Sequence, residues 1–110
     1  MSYKLFIDDE RYPVDDSWVI ARTSADAIKI MQDRGWPVYI SFDHDLGGPD
    51  TSRPVVNWMI EQVLDGTYQD AVPDFYVHSQ NPIGRDWLKS RMQDLARAAE
   101  IMQLANSGKS

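Results

Sequence analysis

Apolar residues along this chain recur with two different periods, and the switches between them mark out the elements. Residues 3–7, YKLFI, form a short run with aromatic and β-branched members that stops abruptly at Asp8-Asp9-Glu10, which reads as a buried strand. RYPVDD, 11–16, reads as loop, with Pro13 marking a turn. WVIAR, 18–22, predicts a second strand. In 23–35 the pattern changes: Thr23 or Ser24 can cap a helix, Ala27, Ile28 and Met31 form its stripe, and Gly35 ends it. PVYISF, 37–42, predicts a third strand running straight into the loop DHDLGGPDTSRP, 43–54. Pro54 suits the first turn of a helix, and Val55, Val56, Met59, Ile60, Val63 and Leu64 follow at helical spacing. After a loop over 65–73, DFYVHS, 74–79, predicts a fourth strand. QNPIG then turns the chain into a last helix starting near Gly84, with Trp87, Leu88, Met92, Leu95, Ala99 and Met102 on one face.

Strands that alternate with helices predict an α/β sandwich around a largely parallel sheet. Only ten residues separate the first two strands, so a full crossover helix barely fits and a loop or one short turn is expected there. With 110 residues and neither an internal repeat nor a low-complexity tract, the chain predicts one domain over 1–105. The small polar stretch 106–110 is expected to be a flexible tail.

Composition narrows the chemistry. There is no cysteine, which removes disulfides, thiolate zinc sites and a cysteine nucleophile. No apolar run approaches the roughly 18 residues of a membrane span, and the N-terminus has no basic stretch followed by a long apolar one. A cytoplasmic location is the expectation. The net charge of −6, from 17 acidic and 11 basic residues, opposes binding to long duplex nucleic acid, which requires a basic footprint. It does not oppose a small phosphorylated ligand, because a metal held by carboxylates can supply the positive charge.

Three strands end in polar clusters: Asp8-Asp9-Glu10, Asp43-His44-Asp45 and His78-Ser79-Gln80-Asn81. Ligands of open α/β sheets bind beyond the carboxyl ends of the strands, so parallel neighbours bring all three clusters to one edge. Alternation places Asp43 and Asp45 on one side and His44 on the other. With Asp8 and Asp9 they form an oxygen-rich set suited to Mg²⁺, Mn²⁺ or Ca²⁺, with Mg²⁺ or Mn²⁺ preferred. The histidines also admit Zn²⁺ or Fe²⁺. His78 is a candidate general acid or base, with His44 as a second, because imidazole titrates near neutrality. Ser79, Asn81, Gly84 and Arg85 stand where a helix begins, a natural place for a phosphate. For each of these residues an ordinary role exists as well. Acidic groups end strands, a lone histidine is commonly hydrogen-bonded to structure, and Gly47-Gly48 can simply turn the chain. Their convergence on one edge is what favours a site.

The segments LFIDDERYP, SFDHDLGG and HSQNPIGR together resemble the cyclic-phosphate processing receiver domain, a divergent branch of the response-regulator receiver fold, over about residues 3–90. The resemblance implies a receiver-like (flavodoxin-like) three-layer sandwich of about four mostly parallel strands in order 2-1-3-4, with flanking helices. By the receiver pattern, Asp8 and Asp9 match the acidic pair after the first strand. Asp43 matches the aspartate ending the third, and Ser79 the hydroxyl residue after the fourth. Receivers also carry a helix after the acidic pair and a fifth strand ending in lysine, and this chain shows neither. A phosphoryl-aspartate switch is therefore not expected. The implied function is metal-dependent opening of a cyclic phosphate on a nucleotide or RNA end. The competing expectations are a non-enzymatic receiver-like module that binds a ligand or partner, and an acidic protein that blocks another protein.

Overall fold

The computed structural model describes residues 2–107. Its strands are β1 (Lys4–Ile7), β2 (Trp18–Ala21), β3 (Tyr39–Phe42) and β4 (Asp74–Val77), and its helices are α1 (Ser24–Arg34), α2 (Arg53–Leu64) and α3 (Pro82–Ser107). The strands form one parallel sheet in the order β2-β1-β3-β4. This is the receiver-like α/β architecture and strand order that the sequence implies. Of the expected tail 106–110, residues 108–110 lie outside the described ones, and the two before them end α3.

Strand register sorts the sheet into rows. Val19, Leu5, Ile40 and Phe75 form one row, and Ala21, Ile7, Phe42 and Val77 another, on the same face. All three helices pack against this face. Ala27 and Met31 of α1, Val55, Val56, Met59 and Val63 of α2, and Leu88, Met92 and Leu95 of α3 join the sheet residues in one core. Leu5, Ile7, Ile40 and Phe42 are completely buried, each contributing about 1.5–3 kcal/mol by leaving water.

The opposite face carries the rows Trp18, Lys4, Tyr39, Asp74 and Ile20, Phe6, Ser41, Tyr76. No helix covers it. The β1–β2 connection, residues 8–17, contains no helix and lies along this face, where Tyr12, Pro13 and Val14 border a groove. The third layer of the expected sandwich is thus reduced to a loop, because ten residues cannot hold both a helix and its two turns. Edge-on contacts of Trp18 with Phe6 and Tyr39, at 6.0 and 5.8 Å between ring centres, hold the aromatic side chains of this face together.

Local signals place the helices. Thr23 caps α1 by accepting from the Asp26 N–H at 3.0 Å, and Asp26 adds negative charge in the first turn. Pro54 occupies the first turn of α2. The loop between β3 and α2 is braced against α1 by Asp50, which accepts from the Ser24 N–H (2.9 Å) and hydroxyl (2.6 Å). At the far end of the sheet Trp36 stacks on Tyr68 at 3.5 Å, with Trp58 beside it. Trp87 packs on the core, as its helical spacing predicts, and so does Trp58.

Candidate functional site

The polar strand ends extend the sheet by one row. Asp8 N–H donates to Ala21 O (3.1 Å), Asp43 N–H to Ile7 O (2.8 Å) and His78 N–H to Phe42 O (2.9 Å). By alternation, Asp8, Asp43 and His78 share the parity of the open-face rows. They converge: one ligand atom from each lies within 4.8 Å of the other two.

Asp8 is the anchor of the cluster. It is fully buried. Its Oδ1 accepts from the N–H groups of Glu10 (3.0 Å) and Arg11 (2.9 Å), and its Oδ2 accepts from His78 Nε2 at 3.0 Å. Burial pushes its pKa up, but the Arg11 and Glu10 amides and then His78 outweigh that and hold it below the ordinary carboxylate value. Asp43 behaves oppositely: burial and the neighbouring Asp8 charge raise its pKa, against a smaller opposing effect of His78. The imidazole of His78 is fixed on both sides. Its Nδ1 pairs with Ser41 Oγ at 2.8 Å, and its ring stacks on Phe6 at 4.8 Å and 4°. Arg22 pins the loop by donating from Nη1 to the carbonyls of Asp8 (3.0 Å) and Arg11 (2.6 Å).

The remaining candidates are placed differently. Asp9 has the covered-face parity and is not in the cluster. It borders the β3–α2 loop, where a Cβ on Gly47 would come within 3.2 Å of its Oδ2, so glycine, at φ +87°, allows the close approach. Asp45 is also outside the cluster. The strand ends at Phe42 and the chain turns, so alternation no longer pairs Asp45 with Asp43. Asp45 is exposed and joins His44 instead: Oδ1 lies 2.8 Å from His44 Nδ1, and Oδ2 accepts from Asn81 Nδ2 at 3.3 Å. Those contacts, the His44 bond foremost, lower its pKa despite a small opposing burial effect.

His44, read from sequence as a second catalytic histidine, is buried and has both nitrogens engaged. Arg53 Nε donates to its Nε2 at 2.9 Å, so the ring proton sits on Nδ1 and goes to Asp45. Its ring lies against Gly84, where a Cβ would fall 2.3 Å from His44 Cγ. Gly84 is therefore a packing glycine, and His44 ties the β3–α2 loop to the start of α3. Asn81 caps that helix: Oδ1 accepts from the Gly84 N–H at 3.1 Å, and its carbonyl accepts from Arg85 N–H at 2.8 Å. The amides expected to meet a phosphate are spent on this cap. Ser79 is buried, its Oγ accepting from the Asn81 N–H at 3.1 Å. Arg85 stays available. It lines a cleft of about 420 Å³ with Tyr76, His78, Ser79, Asp86 and Lys89. Among the described residues neither Arg85 nor Lys89 is in an ion pair.

Two residues of the site escaped the sequence reading. Ser41 is in mid-strand, and only its open-face parity two residues before Asp43 could have flagged it. Lys89 lies one helical turn after Arg85, a spacing that puts both on one face.

A four-stranded parallel sheet ordered 2-1-3-4, with acidic groups and a hydroxyl residue at its carboxyl edge, defines a receiver-type α/β domain. The chain belongs to the cyclic-phosphate processing receiver domain family, whose sequence pattern matches residues 3–94. No curated protein matches the chain, and no solved structure does. No helix among the described residues is long and apolar enough to cross a membrane.

Proposed function

We propose that this domain is a metal-dependent phosphoesterase that opens the cyclic phosphate of a nucleotide. The observation that carries the reading is the Asp8, Asp43 and His78 cluster, three ligand atoms within 4.8 Å of one another, beside the free cations Arg85 and Lys89. Two carboxylates and one imidazole fit a divalent ion, and this mixed set suits Mn²⁺ better than Mg²⁺, which prefers oxygen alone. When bound, such an ion supplies positive charge for a phosphoryl oxygen and lowers the pKa of a coordinated water.

The chain's own groups have definite tasks in this reading. Asp8, locked by two backbone amides, sets the position of the cluster. Ser41 accepts the Nδ1–H of His78 once Nε2 faces the ion, fixing the tautomer as an outer partner of a metal ligand does. Arg85 and Lys89 meet the phosphate and offset the charge that builds on the leaving oxygen. A cyclic diester carries one negative charge and suits a site framed by carboxylates better than a monoester does. The alternative keeps Nε2 of His78 off the ion: its proton, now shared with Asp8, would pass to the leaving oxygen as that of a general acid, with Ser41 holding the ring.

The test is hydrolysis of 2′,3′-cyclic nucleotides with Mn²⁺, followed by separation of the monoester. Asp43→Ala should abolish turnover. His78→Ala should regain activity at high Mn²⁺ if His78 is a ligand. If it is the acid, the variant should remain about 10²–10⁴-fold slower at any metal concentration. Equal inertness of wild type and Asp43→Ala towards cyclic and linear phosphodiesters would leave the ligand-binding module as the reading.

A further inference from the structure

Phe6, Trp18, Tyr39 and Tyr76 all lie on the open-face rows of the sheet. They floor a groove of about 340 Å³, and Tyr12 from the β1–β2 loop stands at its rim, 78% exposed. Tyr76 is 59% exposed. A contiguous aromatic surface of this kind on a soluble domain marks a binding site more often than bare surface. Ser41 and His78 line the same groove, so it runs up to the acidic cluster without a break. Tyr76 and His78 also line the cleft that holds Arg85 and Lys89. The aromatic groove and the cationic cleft therefore meet along one ridge at the exposed edge of β4.

We propose that the groove binds the nucleobase of a single mononucleotide whose phosphate occupies the adjoining cleft; the position of the phosphate rests on the phosphoesterase reading above. Aromatic rings offer a base its preferred stacking partners without demanding a particular sequence, and the tyrosine hydroxyls add hydrogen-bonding groups at the edges. The volume is at the small end of ligand pockets, enough for one base with its sugar and too little for a strand. The net charge of −6 also opposes the additional phosphates of an oligonucleotide. Arg11 lines the groove, and Lys4, whose ammonium lies 4.6 Å over the Trp18 ring, shares its row with Asp74.

The test is binding of adenosine 2′,3′-cyclic monophosphate in EDTA and again in Mn²⁺, followed by calorimetry and by chemical shifts of the aromatic protons. Comparison probes are adenosine, inorganic phosphate and an oligonucleotide ending in a cyclic phosphate. Tyr76→Ala and Tyr12→Ala remove exposed rings that no core packing needs. Loss of one stacked ring should weaken nucleotide binding about 5- to 150-fold, with Tyr76→Phe retaining most of it and phosphate binding unchanged in Tyr12→Ala. Adenosine should show the same dependence on Tyr76. Nucleotide binding indifferent to both tyrosines would overturn the proposal. So would an oligonucleotide bound far more tightly than the mononucleotide, or a dimer in sedimentation that Tyr76→Ala dissolves. Base binding without turnover upholds the groove and sinks the phosphoesterase reading. Turnover with a KM unaffected by Tyr76→Ala does the reverse.

Discussion

On one face of the sheet Leu5, Ile7, Ile40 and Phe42 are completely covered by three helices. On the other, Trp18 and Tyr39 are part-exposed and Tyr76 is mostly exposed. The same four strands build both faces. Parallel sheets ordinarily hide both and therefore read as continuous apolar runs. Here the short β1–β2 connection supplies no helix, and the uncovered rows alternate aromatic side chains with Lys4, Ser41 and Asp74. The Asp8, Asp43 and His78 cluster continues the open rows, whereas His44, beyond the end of β3, packs against the start of α3. Which face a residue belongs to thus decides whether its polar atoms stay on the open side of the sheet or meet a neighbouring helix.

The largest contrast should come from truncating one ring on each face. Phe42→Ala should cost about 3–5 kcal/mol in urea unfolding, through lost burial and a cavity. Tyr76→Ala should stay within about 0.5 kcal/mol of wild type. Equal costs would mean that the open face is covered in solution.

A smaller effect is expected where the covered face meets α3. Gly84→Ala places a methyl group against the His44 ring and should cost about 1–3 kcal/mol. In a His44→Ala background the same change should cost much less, a coupling that a double-mutant cycle measures directly. Additive costs would show that His44 does not pack there.

The smallest effect concerns charge on the open rows. The pKa of Asp43 is raised in the folded state, so protonating it favours folding. That contribution is complete below the ordinary carboxylate pKa and is lost as pH rises through the folded value. Asp43→Asn should therefore stabilise the metal-free protein at neutral pH, by roughly the 0.2–1 kcal/mol of a partly exposed charge pair. The gain should vanish in acid, below the ordinary carboxylate pKa. Asp8 has the opposite sign: its depressed pKa stabilises the fold above the ordinary value, and this is lost as pH falls through the folded one. A gain from Asp43→Asn that persisted in acid would show that its cause is not the charge.

The sequence alone was enough to locate every element, because hydrophobic period and capping residues are local signals. YKLFI, WVIA, YISF and DFYV each appear as strands within a residue or two of where the pattern puts them. The edge that gathers the candidate cluster was legible too, since Asp8, Asp43 and His78 each follow the last residue of an apolar run. Tertiary structure alone decided which polar residues act together. Asp45 parted from Asp43 because the strand ends at Phe42, and His44 and Gly84, forty residues apart, became one packing contact. Asn81 spent its oxygens on a helix cap, and Ser41 acquired its importance from a histidine on the neighbouring strand. Period records which face a side chain takes within its own element. The partner it meets there depends on how the elements are docked, and the missing crossover helix left one of those faces open.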